Sequence, residues 1–510
     1  MESIDLQREA HSQKGVVAAG HARTAEAAIS VLREGGNAFD AAIAALFASW
    51  VAEPCMSSPG GGFHAALRQS GGETTILDAF CSTPLRKPDG SDIDFYPVEI
   101  DFGDTLESFQ VGRASVAVPG AIPGLLALWE SHATLPLPVL AAPAVEMAKQ
   151  GVVMDTFQAY DFKLLTPILR ISPQADHYFE SDRQFGDALQ EGSLLHQPAL
   201  ANFLHELAVR DKTFLPEWKR MICAEVHGDG LLHEDDLDRF KVIWRDALRL
   251  SDMNGQLYLN PSPSSGGSVI GLAMSLLKNT DQLGKEAVAA RLAPLISRAL
   301  EMRDRSVSMT ALEDAALEEL RGEHVYKSNP GLLAPGGTTH FSILDKAGNA
   351  VSLSSTNGEG SGVWVKDTGV QLNNMLGEAA LFPGGFHSWE PASRVSSLMA
   401  PTIHERTDGD LVVLGTGGAG RIPWAIAQVL GALQSPNVDL RHAVEMPRCF
   451  NQDGVLQIEP GLETLAQRSG GKLWSRKDMF FGGINVVQGK PGKSLVAIAD
   501  SRRLGTAMGV

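Results

Sequence analysis

The stretch APGGTTHFSILDKAGNAVSLSST, Ala334 to Thr356, sets two glycines directly before two threonines and then runs into strand. THFSILD alternates apolar and polar residues, KAGN is turn text, and AVSLSST alternates again, so the stretch predicts a β-hairpin that begins at Thr338. The plain reading of Gly336-Gly337 is a turn entering the first strand. The chemical reading is a cleavage site. A threonine hydroxyl is a poor nucleophile at neutral pH and needs a base within hydrogen-bond reach. A cut between Gly337 and Thr338 would free the α-amino group of Thr338, whose reference pKa of roughly 7.7–8.0 makes it a suitable neighbouring base. Glycine before the cut allows the scissile peptide a geometry that a Cβ would obstruct. The hydroxyl of Thr338 can then attack the preceding carbonyl, shift the acyl group to an ester, and let water release it.

Glycine clusters elsewhere too: Gly60 to Gly62, Gly266-Gly267, Gly384-Gly385 and Gly415 to Gly420. Clusters between apolar elements imply tight turns and close backbone approach around a site. Upstream, Gly15 to Ala19 reads as a short strand. Thr24 is placed to cap a helix over AEAAISVLREGG that stops at Gly35-Gly36, and Asn37 or Asp40 starts a second, more buried helix through Val51. Helical patterns dominate from about Pro136 to Lys327, including GLLHEDDLDRF and the run from Gly284 to Arg305. The acidic text from His227 to Asp236 lacks the ligand spacing of a calcium loop and reads as helix capping. LVVLG at Leu411 to Gly415 is a short buried strand, followed by glycines and the helical AIAQVLGAL. Gly482 to Gln488 and Leu495 to Ala499 add strands, so the last third is richest in strand.

The chain has 510 residues, 44% of them apolar and 20% charged, with a net charge of −17. An acidic surface without any dense basic cluster argues against nucleic acid or an anionic membrane as the main partner. Cys55, Cys81, Cys223 and Cys449 are scattered, which fits neither a zinc site nor a disulfide framework. The start MESIDLQREAHSQKG has no signal-peptide pattern. The longest apolar stretch, Ala41 to Ala52, is too short to span a bilayer. The expectation is a soluble, cytoplasmic protein.

Several motifs in order resemble the gamma-glutamyltransferase family. GGTTHFSILDKAGNAVSLSST, GVQLNNML, SRVSSLMAPTI and GTGGAGRI look like its small-subunit half. VLREGGNAFDAAIAALFA, SSPGGGFHA, VAVPGAIPGLLALWE and PSPSSGGSVIGLA look like its large-subunit half, so the resemblance runs from about Gly15 to Arg503. It implies an N-terminal-nucleophile hydrolase fold, a four-layer αββα sandwich. It also implies autoprocessing into 1–337 and 338–510, the two fragments staying associated as one intertwined unit. By the same resemblance Thr338 is the nucleophile and Thr356 a second threonine that hydrogen-bonds it. Gly417, Gly418 and Ala419 fall where main-chain N–H groups hold the oxyanion. Ser396 and Ser397 match a serine pair that binds the substrate carboxylate. No cofactor or metal is expected, since nucleophile, base and oxyanion donors all belong to the protein. His340, opposite in direction to Thr339 on an alternating strand, is expected to be structural.

Departures from the family pattern concern the substrate. ILDAFCSTP puts Phe80 where the family carries a carboxylate-clamping arginine, and that loss removes bidentate recognition. Met375 stands where a glutamine is expected, and Glu378 where an aspartate contacts the substrate amine. Gly358 replaces an asparagine, with Asn357 one step early. Arg86 offers a displaced guanidinium but reads better as a surface residue. The expected activity is therefore hydrolysis or transfer of a small-molecule amide. The family default is a gamma-glutamyl compound, and the alternative is a non-glutamyl amide in a more apolar pocket made by Phe80 and Met375. A non-catalytic relative is the remaining alternative, though it would have no use for a cleavable Gly337–Thr338 bond.

Overall fold

The computed structural model describes residues 7–89, 92–101, 106–172, 175, 180–181, 189–252, 254–277, 337–382, 384–452 and 455–510. The hairpin forms where its alternation places it, as strands Thr338–Asp345 and Ala350–Thr356. They lie at the centre of a seven-stranded antiparallel sheet. Its order is Ile243–Asp246, Thr74–Ala79, Gly62–Arg68, Ala350–Thr356, Thr338–Asp345, Gly15–Ala19, Thr506–Gly509. A second seven-stranded sheet runs Glu9–Ser12, Leu495–Ala499, Asn485–Gly489, Leu411–Gly415, Thr402–Arg406, Gly255–Leu259, Leu248–Ser251. Each sheet mixes strands from both sides of Gly337, so the segments 1–337 and 338–510 share both cores.

Period-two alternation sorts the apolar side chains into layers. Val16, Ala18, Leu344, Ala350, Val413, Val487 and Ala497 meet between the two sheets. Val17, Phe341, Ile343, Val351 and Leu353 face the other way, onto the helices Ala22–Arg33, Ala38–Ala52, Ala121–His132 and Leu137–Gln150. Val412, Leu414 and Val486 pack on helices Gly266–Leu277 and Ile422–Ala432. The result is helix, sheet, sheet, helix: the αββα sandwich.

Local signals place most of these helices. Asn37 caps Ala38–Ala52 through a capping box, its side chain accepting from Phe39 and Asp40 while the Asp40 carboxylate accepts the Asn37 N–H. Every residue of that helix is buried, which explains its all-round apolar sequence. The first helix starts earlier than the sequence suggests. His21 is its cap, Nδ1 accepting from the Arg23 N–H at 3.1 Å. Thr24 instead lies inside the first turn, with its hydroxyl committed to Glu53 at 2.6 Å. In GLLHEDDLDRF only Glu234–Arg239 is helical, and Asp236 accepts the His233 N–H, so the acidic run does serve as a cap. The run Gly284 to Arg305 lies outside the described residues. Strands Gly62–Arg68 and Thr74–Ala79, which extend the sheet beyond Ala350–Thr356, are not evident from the sequence pattern.

Candidate active site

Backbone register assembles the site. Thr338 pairs with Thr356, and Thr356 with Gly62, forming one row across three strands. Phe80 extends that row, since a Cβ on Gly62 would stand 3.0 Å from the Phe80 Cα. Strand spacing puts Phe80 about 14 Å from Thr338 along it. Alternation fixes the faces. Thr339 shares the helix face with Phe341, and its hydroxyl donates to Glu53, at the end of helix Ala38–Ala52. Thr338 and Thr356 share the face between the sheets with His340 and Ser354.

His340 is structural in its contacts. Its ring nitrogens meet Ser354 and Ser342, each at 2.9 Å, and burial depresses its pKa to about 3, so the ring is neutral.

Gly337 is held at both ends of its own residue. Its N–H donates to Glu359 Oε1 at 3.0 Å, and its carbonyl accepts from the Thr356 hydroxyl. Gly358 N–H donates to the same Thr356 oxygen at 3.0 Å, which turns the Thr356 proton toward Gly337. The carbonyl so gripped belongs to the peptide that joins Gly337 to Thr338. No side chain fits at 337, because a Cβ would collide with the carbonyl oxygens of Gly358 and Cys55.

The glycine turn after strand Leu411–Gly415 closes against the same threonine. A Cβ at Gly417 would overlap the Thr338 carbonyl oxygen and stand 2.8 Å from Arg503 Nη1. Gly418 adopts φ 127° and Ala419 φ 46°, so the alanine occupies the left-handed region despite its Cβ. Arg503 lies behind this turn, buried, with both terminal nitrogens lacking a hydrogen-bond partner among the described residues.

Other site residues divide into two groups. Asn357, Glu359, Asn374 and Glu378 gather around Gly358: Asn374 Oδ1 accepts the Glu359 N–H at 2.9 Å, and Asn374 and Glu378 both lie directly over Gly358. Asn357 Oδ1 and Glu378 Oε1 are buried without partners. Burial raises the Glu378 carboxyl to about 7, and Glu359 rises well above the carboxylate range through burial and then repulsion from Glu378. The second group carries Phe80, Met375, Val395, Leu398 and Met399 in one apolar cluster. Ser396, half-buried, and Ser397 sit within it. The Ser397 hydroxyl accepts the Met399 N–H at 3.0 Å, and its carbonyl gathers the Ser264 hydroxyl and the Ser265 N–H. Phe80 is fully buried and stacks on His64 at 5.4 Å.

Arg86, the displaced guanidinium that the sequence offers, does not refill the lost clamp, and neither does the nearby Arg394. Arg86 is half-exposed and pairs with Asp235 at 2.8 Å, on the surface. Arg394 is committed to Asp78, the Phe80 carbonyl and Ser82. Sequence reading missed Glu53, Asp161, Glu359 and Arg503. Only Glu53 carried a signal, a lone acid closing an apolar helix. Among the described residues no His, Cys, Asp and Glu side chains converge as a metal site, and no helix is long and apolar enough to cross a membrane.

The chain is 31% identical to a glutathione hydrolase proenzyme of Pseudomonas aeruginosa over 86% of its own length and 83% of that protein. It is 29% identical to the acylase ACY 1 proenzyme of Pseudomonas sp. (strain V22), over 99% of its length and 95% of that protein. The crystal structure of a cephalosporin acylase from Bacillus halodurans superposes with a TM-score of 0.83 at 22% identity, covering 100% of this chain and 98% of that one, and shares its fold. A gamma-glutamyltranspeptidase family model matches residues 24–510, so the chain belongs to that family and is an amide-bond hydrolase of the N-terminal-nucleophile type.

Proposed function

We propose that this chain is an autoprocessing N-terminal-threonine hydrolase or acyltransferase that acts on gamma-glutamyl or related amides through an acyl-enzyme on Thr338. The observation that carries the reading is the grip on Gly337: Thr356, paired with Thr338 in register, donates its hydroxyl to the carbonyl that Thr338 would attack. A hydrogen bond there stabilises the negative charge that develops on that oxygen. After the cut, the Thr338 amine is the base, and the N–H groups of Gly418 and Ala419 are the oxyanion donors for substrate. Glu378 and Asn357, with unpartnered buried oxygens, bind a substrate N–H, and Ser396 and Ser397 a substrate carboxylate.

A second reading of the acyl group has its own support. Phe80 and Met375 share one apolar cluster, and Arg86 and Arg394 are engaged elsewhere. Relatives over nearly the full chain include an acylase as well as glutathione hydrolases. On this reading the donor is a small amide with a less polar acyl chain.

Intact mass of the purified chain tests the first reading. The expected result is two fragments, 1–337 and 338–510, with Thr338→Ala remaining whole. A wild-type chain that stays whole after prolonged neutral incubation, yet hydrolyses amides, overturns it. The processed protein is then assayed with gamma-glutamyl-, glutaryl- and butyryl-p-nitroanilide. Preference for the gamma-glutamyl compound sustains the family default, and preference for butyryl the apolar pocket.

A further inference from the structure

Self-cleavage as proposed above needs a water at its second step. When the Thr338 hydroxyl attacks Gly337, the new C–O bond forms, the C–N bond breaks, and the hydroxyl proton leaves on the freed amine. The chain is then joined by an ester. Water must reach the Gly337 carbonyl carbon, lose a proton, and expel the Thr338 oxygen, which takes that proton back. The products are the Gly337 carboxyl group and a free amino-terminal threonine, with one water consumed.

Beside Gly337 lies a cavity of about 10 Å³, lined by Cys55, Met56, Asp161, Gly337, Glu359 and Met479 among others. That volume holds one water, and a buried water needs two to four polar partners. Asp161 projects from helix Thr156–Leu169, is 3% exposed, and has Oδ2 without a hydrogen-bond partner. Glu359 already holds the Gly337 N–H, so it fixes the carbonyl relative to the cavity. Asp161, with its unpartnered buried carboxyl oxygen, and Gly337, with its gripped carbonyl, thus line the same one-water space.

We propose that this cavity seats the hydrolytic water of self-cleavage and that Asp161 is its general base. The inference rests on the Thr338 reading. Charged and titratable groups around Asp161 set its range. Burial raises it to about 8, Arg503 opposes that rise, and Asp155 and Glu53 add to it. Glu359 and Cys55 complete the cavity wall. A base in that range can take a proton from water near neutral pH.

The test uses freshly purified Asp161→Asn chain, incubated with and without neutral hydroxylamine, a nucleophile that cleaves esters without a base. Spontaneous cleavage is expected to slow at least ten-fold, while hydroxylamine restores it and leaves Gly337 as a hydroxamate, read by mass. Wild-type cleavage should also climb with pH toward about 8 and level off, and the variant should lose that inflection. Cys55→Met, which fills the cavity but keeps both carboxyls, should slow cleavage as well. Asp161→Asn cleaving at the wild-type rate overturns the proposal, as does Asp161→Asn that melts normally but is not rescued by hydroxylamine. If Asp161→Asn does not fold, Cys55→Met decides: cleavage at the wild-type rate removes the cavity from the mechanism. A wild-type chain that never cuts defeats the Thr338 reading itself, and is told apart because no variant is then needed.

Discussion

The middle and the mouth of one hairpin bury polar side chains in opposite ways. In the middle, His340 is shared between Ser342 and Ser354, Ser342 donates to the Asn485 carbonyl, and Ser352 donates to the Leu414 carbonyl of the facing sheet. At the mouth, Asn357, Glu378, Asp161 and Arg503 each keep a buried polar atom without a partner among the described residues. Buried polar groups are ordinarily paired, and each exception costs about 1–3 kcal/mol. The same strands can therefore satisfy such groups, and do so a few residues away. Four such residues around one scissile peptide are what a site looks like when its partners are a substrate, a water or a departing chain end.

Two glycines of this hairpin separate mouth from middle most strongly. At Gly337 a Cβ would strike backbone oxygens of Gly358 and Cys55, which cannot swing aside. Gly337→Ala should displace the scissile carbonyl from Thr356 and slow self-cleavage about 100-fold or more, corresponding to roughly 2.7 kcal/mol on the barrier. At Gly348, in the turn, φ is +89° and a Cβ would meet mainly the Pro491 ring. Gly348→Ala should cost about 1–2 kcal/mol of stability for its left-handed backbone and leave the cleavage rate unchanged. Time courses on denaturing gels, together with urea melts, check both. Equal effects on cleavage from the two substitutions would erase the distinction.

How far this contrast could be read from sequence depends on how local each signal is. The hairpin, the Asn37–Asp40 capping box and the Leu411–Gly415 strand rest on neighbours within a few residues, and the pattern shows them. The motif order carried Thr338, Thr356 and the glycine turn. Thr24 misled because its preference for capping lost to a tertiary bond with Glu53. Asp161 and Glu359 could not be read at all. Asp161 gains meaning only by meeting Gly337 across the fold, in a helix whose pattern gives no sign of it. The apolar substitution at Phe80 was legible, but its burial against His64, and the commitment of Arg394 to Asp78, required the assembled sheet.

Titration should pull the two regions apart by smaller amounts. His340 and His64 are depressed to about 3 and 4, against 6.5 when unfolded. Their neutral forms stabilise the fold fully above pH 6.5, and that contribution is lost as pH falls from 6.5 toward 3. The slope is at most about 1.4 kcal/mol per pH unit for each group. Glu378 and Asp161 are raised to about 7 and 8, so they act in the other direction. Their protonated forms contribute below the ordinary carboxylate range, and that contribution is withdrawn as pH rises through 7 and 8. Urea melts of the uncut Thr338→Ala chain between pH 4 and about 9 read both arms. Adding His340→Phe should flatten the acid arm, and adding Asp161→Asn the alkaline arm. Each substitution flattening the other arm would mean that the burial of these groups is misassigned.

The smallest effect sharpens the comparison most finely, because it asks whether a side chain at the mouth matters at all. Ala419 holds φ 46°, a conformation that costs an L-residue roughly 1–2 kcal/mol, while glycine adopts it freely. Part of any gain on substitution is returned as the greater entropy of glycine in the unfolded chain. Ala419→Gly should therefore raise stability by no more than about 1 kcal/mol. If the oxyanion donor is the Ala419 main-chain N–H, kcat should stay within about two-fold, because the substitution keeps the N–H and only removes a methyl group. A ten-fold fall in kcat with an unchanged melting temperature would show the methyl itself shaping the site. The strain at this turn would then be a functional constraint rather than a tolerated cost, and the mouth would differ from the middle in its backbone as well as in its unpaired polar groups.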